Sequence, residues 1–162
     1  MDNLNVRPMT ATEFDAFRSE TIRGYAAEHV RAGNWTAEEA ETRAEAETDS
    51  LLPQGVDTPG ILLLIAENAD SVAIGLVWVA LERQVGSGLG AWIYDIRIEP
   101  EQQGKGYGRA LLRAAEQETA RHGVPSIGLN VFGSNMVARS LYESAGYQVT
   151  SIKMHKELPP HE

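Results

Sequence analysis

Residues 102–109 read QQGKGYGR, with Gly104, Gly106 and Gly108 at alternate positions around Lys105 and just before Arg109. The run lies between a strand-like stretch, IYDIRIEPE, and a helix-like one, ALLRAAEQETARHG. Glycine lets backbone amides approach a ligand with no Cβ in the way. A helix N-terminus presents free N–H groups and the positive end of the macrodipole. The chemistry this combination suits is anion binding, phosphate above all. A P-loop is excluded, because Gly106 rather than Ser or Thr follows Lys105. A dinucleotide fingerprint is excluded as well, because the spacing is GxGxG and not GxGxxG. Cysteine is absent, which removes disulfides, thiolate metal sites and a thiol nucleophile together. His29, His122, His155 and His161 show no paired metal-ligand spacing, and nothing in the sequence suggests a metal.

The composition is that of a globular domain, 43% apolar and 23% charged, and 162 residues suffice for a single core. No apolar run approaches the ~20 residues of a membrane span, and MDNLNVRPM lacks the apolar centre of a signal peptide. These features predict one domain over residues 1–162, cytoplasmic, without membrane association. The net charge of −9 is uneven. Residues 1–60 hold twelve acids against five arginines, a net of −7, whereas residues 101–123 hold four bases against three acids, a net of +1. So acidic a protein repels the phosphate backbone, which argues against nucleic acid as a partner. A local cationic patch at the glycine loop remains.

The elements that must position this loop follow from pattern. Asn5 to Pro8 reads as an opening strand. Thr10 with Glu13 forms a capping box for a helix to about Arg31, and Thr36 with Glu39 repeats it for a second helix toward Leu51. The acids of that second helix read as a solvated face. Ile61–Glu67 and Val72–Gln84 form a hairpin, and Gly86, Gly88 and Gly90 turn the chain into a strand over Ala91–Ile98. A helix over Gly106–His122, a strand over Ser126–Phe132, a short helix over Asn135–Ala145 and a last strand over Tyr147–Leu158 complete the order. This is one mixed α/β domain, with the strand–helix–strand unit around the loop parallel and right-handed.

Two motifs in order carry a family resemblance. Gln103-Gly104-Lys105-Gly106-Tyr107-Gly108 resembles the Q/R-x-x-G-x-G/A motif of the GCN5-related N-acetyltransferase (GNAT) superfamily. NMVARSLYESAGY, from Asn135 to Tyr147, resembles that family's N-x-x-A-x-x-L-Y-x-x-x-G-F/Y signature. The detailed likeness covers about residues 91–150. It implies a GNAT-like fold, a mixed, mostly antiparallel sheet of six to seven strands flanked by about four helices. It also implies acetyl-CoA as cosubstrate, its pyrophosphate held by Gln103, Gly104, Lys105, Gly106, Tyr107, Gly108 and Arg109.

The resemblance implies direct attack of an amine on the thioester, in keeping with the absence of cysteine. Main-chain groups of Ile96, Arg97 and Ile98 would meet the acetyl carbonyl and the pantetheine arm. Asn135, Ala138 and Tyr142 share a helix face, so Asn135 would hold CoA and Tyr142 would protonate the leaving thiolate. An amine of pKa ~10.4 is neutral to only about one part in ~10³ at pH 7, so a base is needed. Some family members place a glutamate on the fourth strand. Here Trp92 or Tyr94 stands there, and Asp95, next door, points to the opposite face by strand alternation unless a bulge re-aims it. Asp95, Glu28 and a water chain are the candidates.

The acceptor would meet Glu28 and Trp35, on the first helix and the junction to the second, EHVRAGNW. Small-molecule amines and protein or peptide N-termini are equally open as acceptors, and so is a homodimer. The alternative class is a non-catalytic acyl-CoA-binding domain of the same fold.

Overall fold

The computed structural model describes residues 3–85 and 88–161. The chain divides into two compact units, residues 1–130 and 131–162. In the first unit the order is β1 (Asn5–Pro8), α1 (Ala11–Arg31), α2 (Ala40–Leu51), β2 (Ile61–Glu67), β3 (Ala73–Val85), β4 (Gly88–Ile98), α3 (Tyr107–Arg121) and β5 (Ile127–Leu129). The strands form one sheet in the order β1-β2-β3-β4-β5. Pairing is antiparallel throughout except for β4 with β5, which is parallel, as expected of the unit spanning the glycine loop. Val85 opposite Gly88 closes the predicted hairpin. Gly86 of that turn lies outside the described residues.

Thr10 caps α1 as predicted. Its hydroxyl accepts from the Glu13 amide and the Glu13 carboxylate accepts from the Thr10 amide. Arg7 locks this corner, giving two bonds to Glu13, at 2.7 and 2.9 Å, and one to Glu67 at 2.6 Å. β1, α1 and β2 are thereby joined. The second capping box forms by half. The Thr36 amide reaches the Glu39 carboxylate at 3.4 Å, but the helix starts only at Ala40 and no side chain caps it.

One sheet face packs on α1 through Met9, Phe17, Leu52, Leu63, Ile65 and Trp78, with the Phe17 ring edge-on to Trp78 at 5.8 Å. Val77 and Val79 alternate with Trp78 and face away from α1. That side is left to α3, which packs on β3 and β4 with Leu111, Leu112 and Ala115 buried. α1 and α2 meet through Ile22, Ala26, Ala40 and Ala44, of which the three alanines allow close approach. Glu45 and Asp49 of α2 bind Arg18, and Glu47 accepts from the Tyr25 hydroxyl at 2.7 Å. Half of the face expected to be merely solvated therefore grips α1.

In the second unit, α4 (Met136–Ser144) is the only helix or strand among the described residues. The strand expected over Tyr147–Leu158 is absent. A strand needs a ladder partner, and its own unit offers none, so Val149, Ile152, Met154 and Leu158 are exposed. The sheet thus has five strands among the described residues, not six to seven. The strand expected over Ser126–Phe132 is cut to Ile127–Leu129.

Bonding to Arg7 pushes the Glu13 pKa down to about 2 from an ordinary 4.5. A depressed carboxylate contributes stability that is present above 4.5 and lost as pH falls toward 2. Thermal melts over that window should show the wild-type midpoint falling toward acid, with the slope reduced in Glu13→Gln. Parallel curves for the two proteins would disprove the linkage.

Candidate active site

β4 carries the site, and its register with β3 decides which side chains meet. Asp95 pairs with Trp78 while Ile93 pairs with Val79, so Tyr94 is one residue in excess. Two residues of β4 then oppose one of β3, a bulge. Directly opposed residues share a face, which sets Asp95 on the Trp78 side, facing α1. Tyr94 lies there too, its ring stacked on Trp78 at 4.7 Å and 28°. Trp92, opposite Ala80, and Arg97, opposite Leu76, extend the row. Simple alternation separates Asp95 from Trp92 and Tyr94. The bulge brings them together.

The other edge of β4 is open over its second half. β5 pairs only with Ala91, Trp92 and Ile93, and beyond them no described strand flanks β4 on that side. The Glu99 amide donates to the Ile74 carbonyl at 2.8 Å, which fixes the direction of the main-chain groups before it. In an antiparallel ladder that direction alternates. Arg97 therefore turns its N–H and C=O to β3, whereas Ile96 and Ile98 turn theirs into the gap. Of the three main-chain positions expected at the acetyl carbonyl, two face the gap. Gln103 Nε2 donates to the Ile98 carbonyl at 3.0 Å.

From Ile98 the chain passes through a 3₁₀ turn, Pro100–Gln102, into the loop. Gly104 and Gly106 adopt φ of 77° and 85°, a left-handed region that side chains disfavour. Gly106 is the N-cap of α3. No side chain caps that helix and its first turn holds no acid. The first-turn amides of Tyr107, Gly108 and Arg109 thus head a dipole with nothing negative at its start. A Cβ at Gly104 would meet nothing within 4 Å, so space lies open beside the loop. Lys105 Nζ donates to Gln102 Oε1 at 3.2 Å.

Asp95 sits among charges. Arg97 Nε is 3.3 Å from Asp95 Oδ2, and Arg97 Nη1 is 3.2 Å from Glu20 Oε2 on α1. Burial pushes the Asp95 carboxyl above its ordinary value. Arg97 and the Ile96 amide pull it down, while Glu28 and Glu20 push it up. Glu20, Gly24 and Glu28 fall at i, i+4 and i+8 on one stripe of α1. Gly24 leaves a notch there, since a Cβ would touch nothing within 4 Å. Glu20, the Arg97 side chain and Gly24 were not among the predicted residues. The acidic stripe is visible as a spacing and Arg97 beside Asp95 as an alternation, but their facing α1 together with Trp92 and Tyr94 depends on the bulge. Trp35 is a packing residue: His29 stacks on it at 3.9 Å, Tyr25 meets it edge-on at 5.5 Å and Arg43 lies over it. Burial and the bond to Glu47 push Tyr25 up to about 12, so it stays protonated.

In the second unit, Asn135 caps α4, its Oδ1 accepting from the Ala138 amide at 3.2 Å. Tyr142 is half-buried with its ring 5.8 Å from that of Tyr147, and Gly146 (φ 99°) closes the helix. Among the described residues, no group of three or more His, Asp or Glu is placed to hold a metal, and no helix is long and apolar enough to cross a membrane.

Residues 19–147 match the family described as Acetyltransferase (GNAT) family. The chain belongs to the GNAT family. It is 34% identical over 151 residues to the uncharacterized N-acetyltransferase YycN of Bacillus subtilis, covering 93% of this chain and 96% of the relative. The crystal structure of YycN superposes with a TM-score of 0.87 at 32% identity, over 97% of this chain and 99% of the other. A mycothiol acetyltransferase of Kytococcus sedentarius is 28% identical over 93% of this chain, which spans 47% of that relative's length. Like its GNAT relatives, the protein is an acetyltransferase, and the family's acyl donor is acetyl-CoA.

Gly75 guards the open strand from behind. A Cβ there would lie 2.4 Å from the Arg97 carbonyl oxygen and 2.8 Å from Ile98 Cδ1. Gly75→Ala should cost about 1–3 kcal/mol of stability by overpacking, read by urea denaturation. An unchanged midpoint would mean that the ladder yields at this point without cost.

Proposed function

We propose that this GNAT enzyme moves the acetyl group of acetyl-CoA to a primary amine, a small molecule or a protein N-terminus, by direct attack. One observation carries the reading. The gap-facing edge at Ile96 and Ile98 runs straight into two left-handed glycines at the head of an uncapped helix. The residues fit the donor: amides without a competing acid suit a pyrophosphate, and an open strand edge suits the amide-bearing pantetheine arm. Gln103, Gly104, Lys105, Gly106, Tyr107, Gly108 and Arg109 hold the pyrophosphate end.

Acetyl-CoA supplies an activated acyl group, and the protein's work is to position and to move protons. The gap-facing Ile98 amide is the donor toward the acetyl carbonyl, where charge develops, the Ile96 amide being engaged by Asp95. Asp95, on the α1 side of the same strand, accepts the proton of the attacking amine. Arg97 contributes through its side chain, not its main chain. The amine enters past Glu20, Gly24 and Glu28, carboxylates that favour a cationic acceptor, while Trp35 supports the helix pair from behind. The family resemblance gives Asn135 the role of holding CoA and Tyr142 that of protonating the departing thiolate. A non-catalytic binding domain would need only the loop. The half-buried Asp95 beside the gap-facing amide favours the enzyme, and the likeness to a mycothiol acetyltransferase keeps small-molecule amines among the acceptors.

Calorimetric titration with acetyl-CoA tests the loop. Saturable binding is expected, and Gly106→Asp should abolish it while the thermal melt still shows a cooperative fold. Equal affinity in the variant would remove the pyrophosphate assignment.

A panel of polyamines, aminoglycosides, amino acids and short peptides, read by free-thiol release, then finds the acceptor. The protein has no cysteine of its own to interfere. With the best amine, Tyr142→Phe should lower kcat by ~10²-fold with acetyl-CoA affinity retained. A wild-type rate would exclude it as the acid.

Asp95 acts as carboxylate, so activity should rise with pH through its folded pKa, giving an acid limb above the ordinary 3.8. Asp95→Asn should remove that limb and lower kcat/KM by roughly 10²–10⁴-fold. A retained limb would move the base elsewhere.

A further inference from the structure

Arg97 stands out among the charged side chains of the sheet. Its Nη1 is held by Glu20 at 3.2 Å, its Nε lies 3.3 Å from Asp95 Oδ2, and its Cζ sits 5.7 Å over the Phe17 ring. Nε and Nη2 are buried and make no hydrogen bond. A guanidinium cannot lose its charge in a protein, and although the Arg97 side chain is 36% exposed, the two nitrogens turned inward are not. Arg and carboxylate pairs on a surface exchange partners freely. This one is clamped between a helix carboxylate and an aromatic face, with one carboxylate of the sheet beside it.

We propose that Arg97 is a positioning residue that sets the protonation state of Asp95, keeping it ionised at neutral pH. The groups around Asp95 make the need plain. From α1 come Glu20 and Glu28, both negative. From β3 comes Trp78, without charge, and from β4 itself Tyr94 and Arg97. Burial and the two glutamates all favour the protonated acid, and a protonated Asp95 accepts no proton from an amine. Arg97 is the only cation in this set. The Ile96 amide supports it with a dipole but no charge. Alternation alone puts Asp95 and Arg97 on one face, and the bulge at Tyr94 sets that face on the Trp78 side with Trp92 and Tyr94, toward the glutamates of α1.

The inference rests on Asp95 being the proton acceptor, and two separate readouts keep the ideas apart. Aspartate carboxyls labelled with ¹³C are titrated by NMR in the full-length protein without ligand, the Asp95 signal being the one missing from Asp95→Asn. Removing Arg97's charge should raise the Asp95 midpoint by roughly 1 unit or more in both Arg97→Gln and Arg97→Met, and Arg97→Lys should bring it back. An unmoved midpoint in a folded uncharged variant overturns the proposal. The acid limb of kcat/KM, taken with the panel amine that turns over fastest, should move up by the same amount as the carboxyl signal. If the signal moves and the limb does not, Arg97 still governs Asp95 but Asp95 is not the base.

Discussion

Tyr94 is an extra residue in the ladder between β3 and β4, and most of the site's chemistry descends from it. Without it, strand alternation would send Asp95 away from α1, toward the apolar face that carries Val77 and Val79. A carboxylate there would have no water and no cation, and the sheet would have to expel it or hold it neutral. With the extra residue, Asp95, Arg97, Trp92 and Tyr94 share the α1 face. Stacking of Tyr94 on Trp78, and the edge-on contact of Phe17 with Trp78, give the bulge its own packing support. The distortion is thus stabilised from the core outward.

Two different economies operate on the two sides of β4. Toward β3 and α1 the strand is held by ladder bonds, an aromatic stack, and a cation among carboxylates. Toward the gap, β5 stops after three residues, and the main-chain groups of Ile96 and Ile98 have no described strand beside them. The same strand is therefore rigid where side chains must be held and open where a ligand's amides would add on. The glycine loop continues this logic, since it offers main-chain donors whose direction is set by the backbone and whose charge is set by a helix dipole. Side-chain chemistry and main-chain binding are separated by the thickness of one strand.

Much of this was legible from residue pattern. The capping box at Thr10 and Glu13, the hairpin of β2 and β3, the parallel step from β4 to β5 and the loop at the head of α3 all rest on local rules, and local rules held. The second capping box formed only in part because Thr36 and Glu39 sit before the helix, not across its start. The last strand failed because a strand is a property of pairs: Tyr147 to Leu158 has apolar residues but no partner in its own unit. The face of Asp95 was hidden for a related reason. A bulge is visible only in the register between two strands, and a single strand's sequence carries alternation alone. Arg97 was chosen for its main chain, yet it is the side chain that lies among the site's charges.

An open strand edge has a second consequence, concerning other copies of the same chain. Unpaired edges invite another strand to add on, and proteins that keep one usually blunt it. Here the blunting is built from residues at the mouth of the glycine loop. Gln103 takes the Ile98 carbonyl, Pro100 offers no amide two residues later, and the chain turns at once into a 3₁₀ bend. An incoming strand would find only the short stretch around Ile96 before meeting a blocked carbonyl and a bend. A narrow, flexible ligand needs no more than that. The stretch left open to an added strand is thus short.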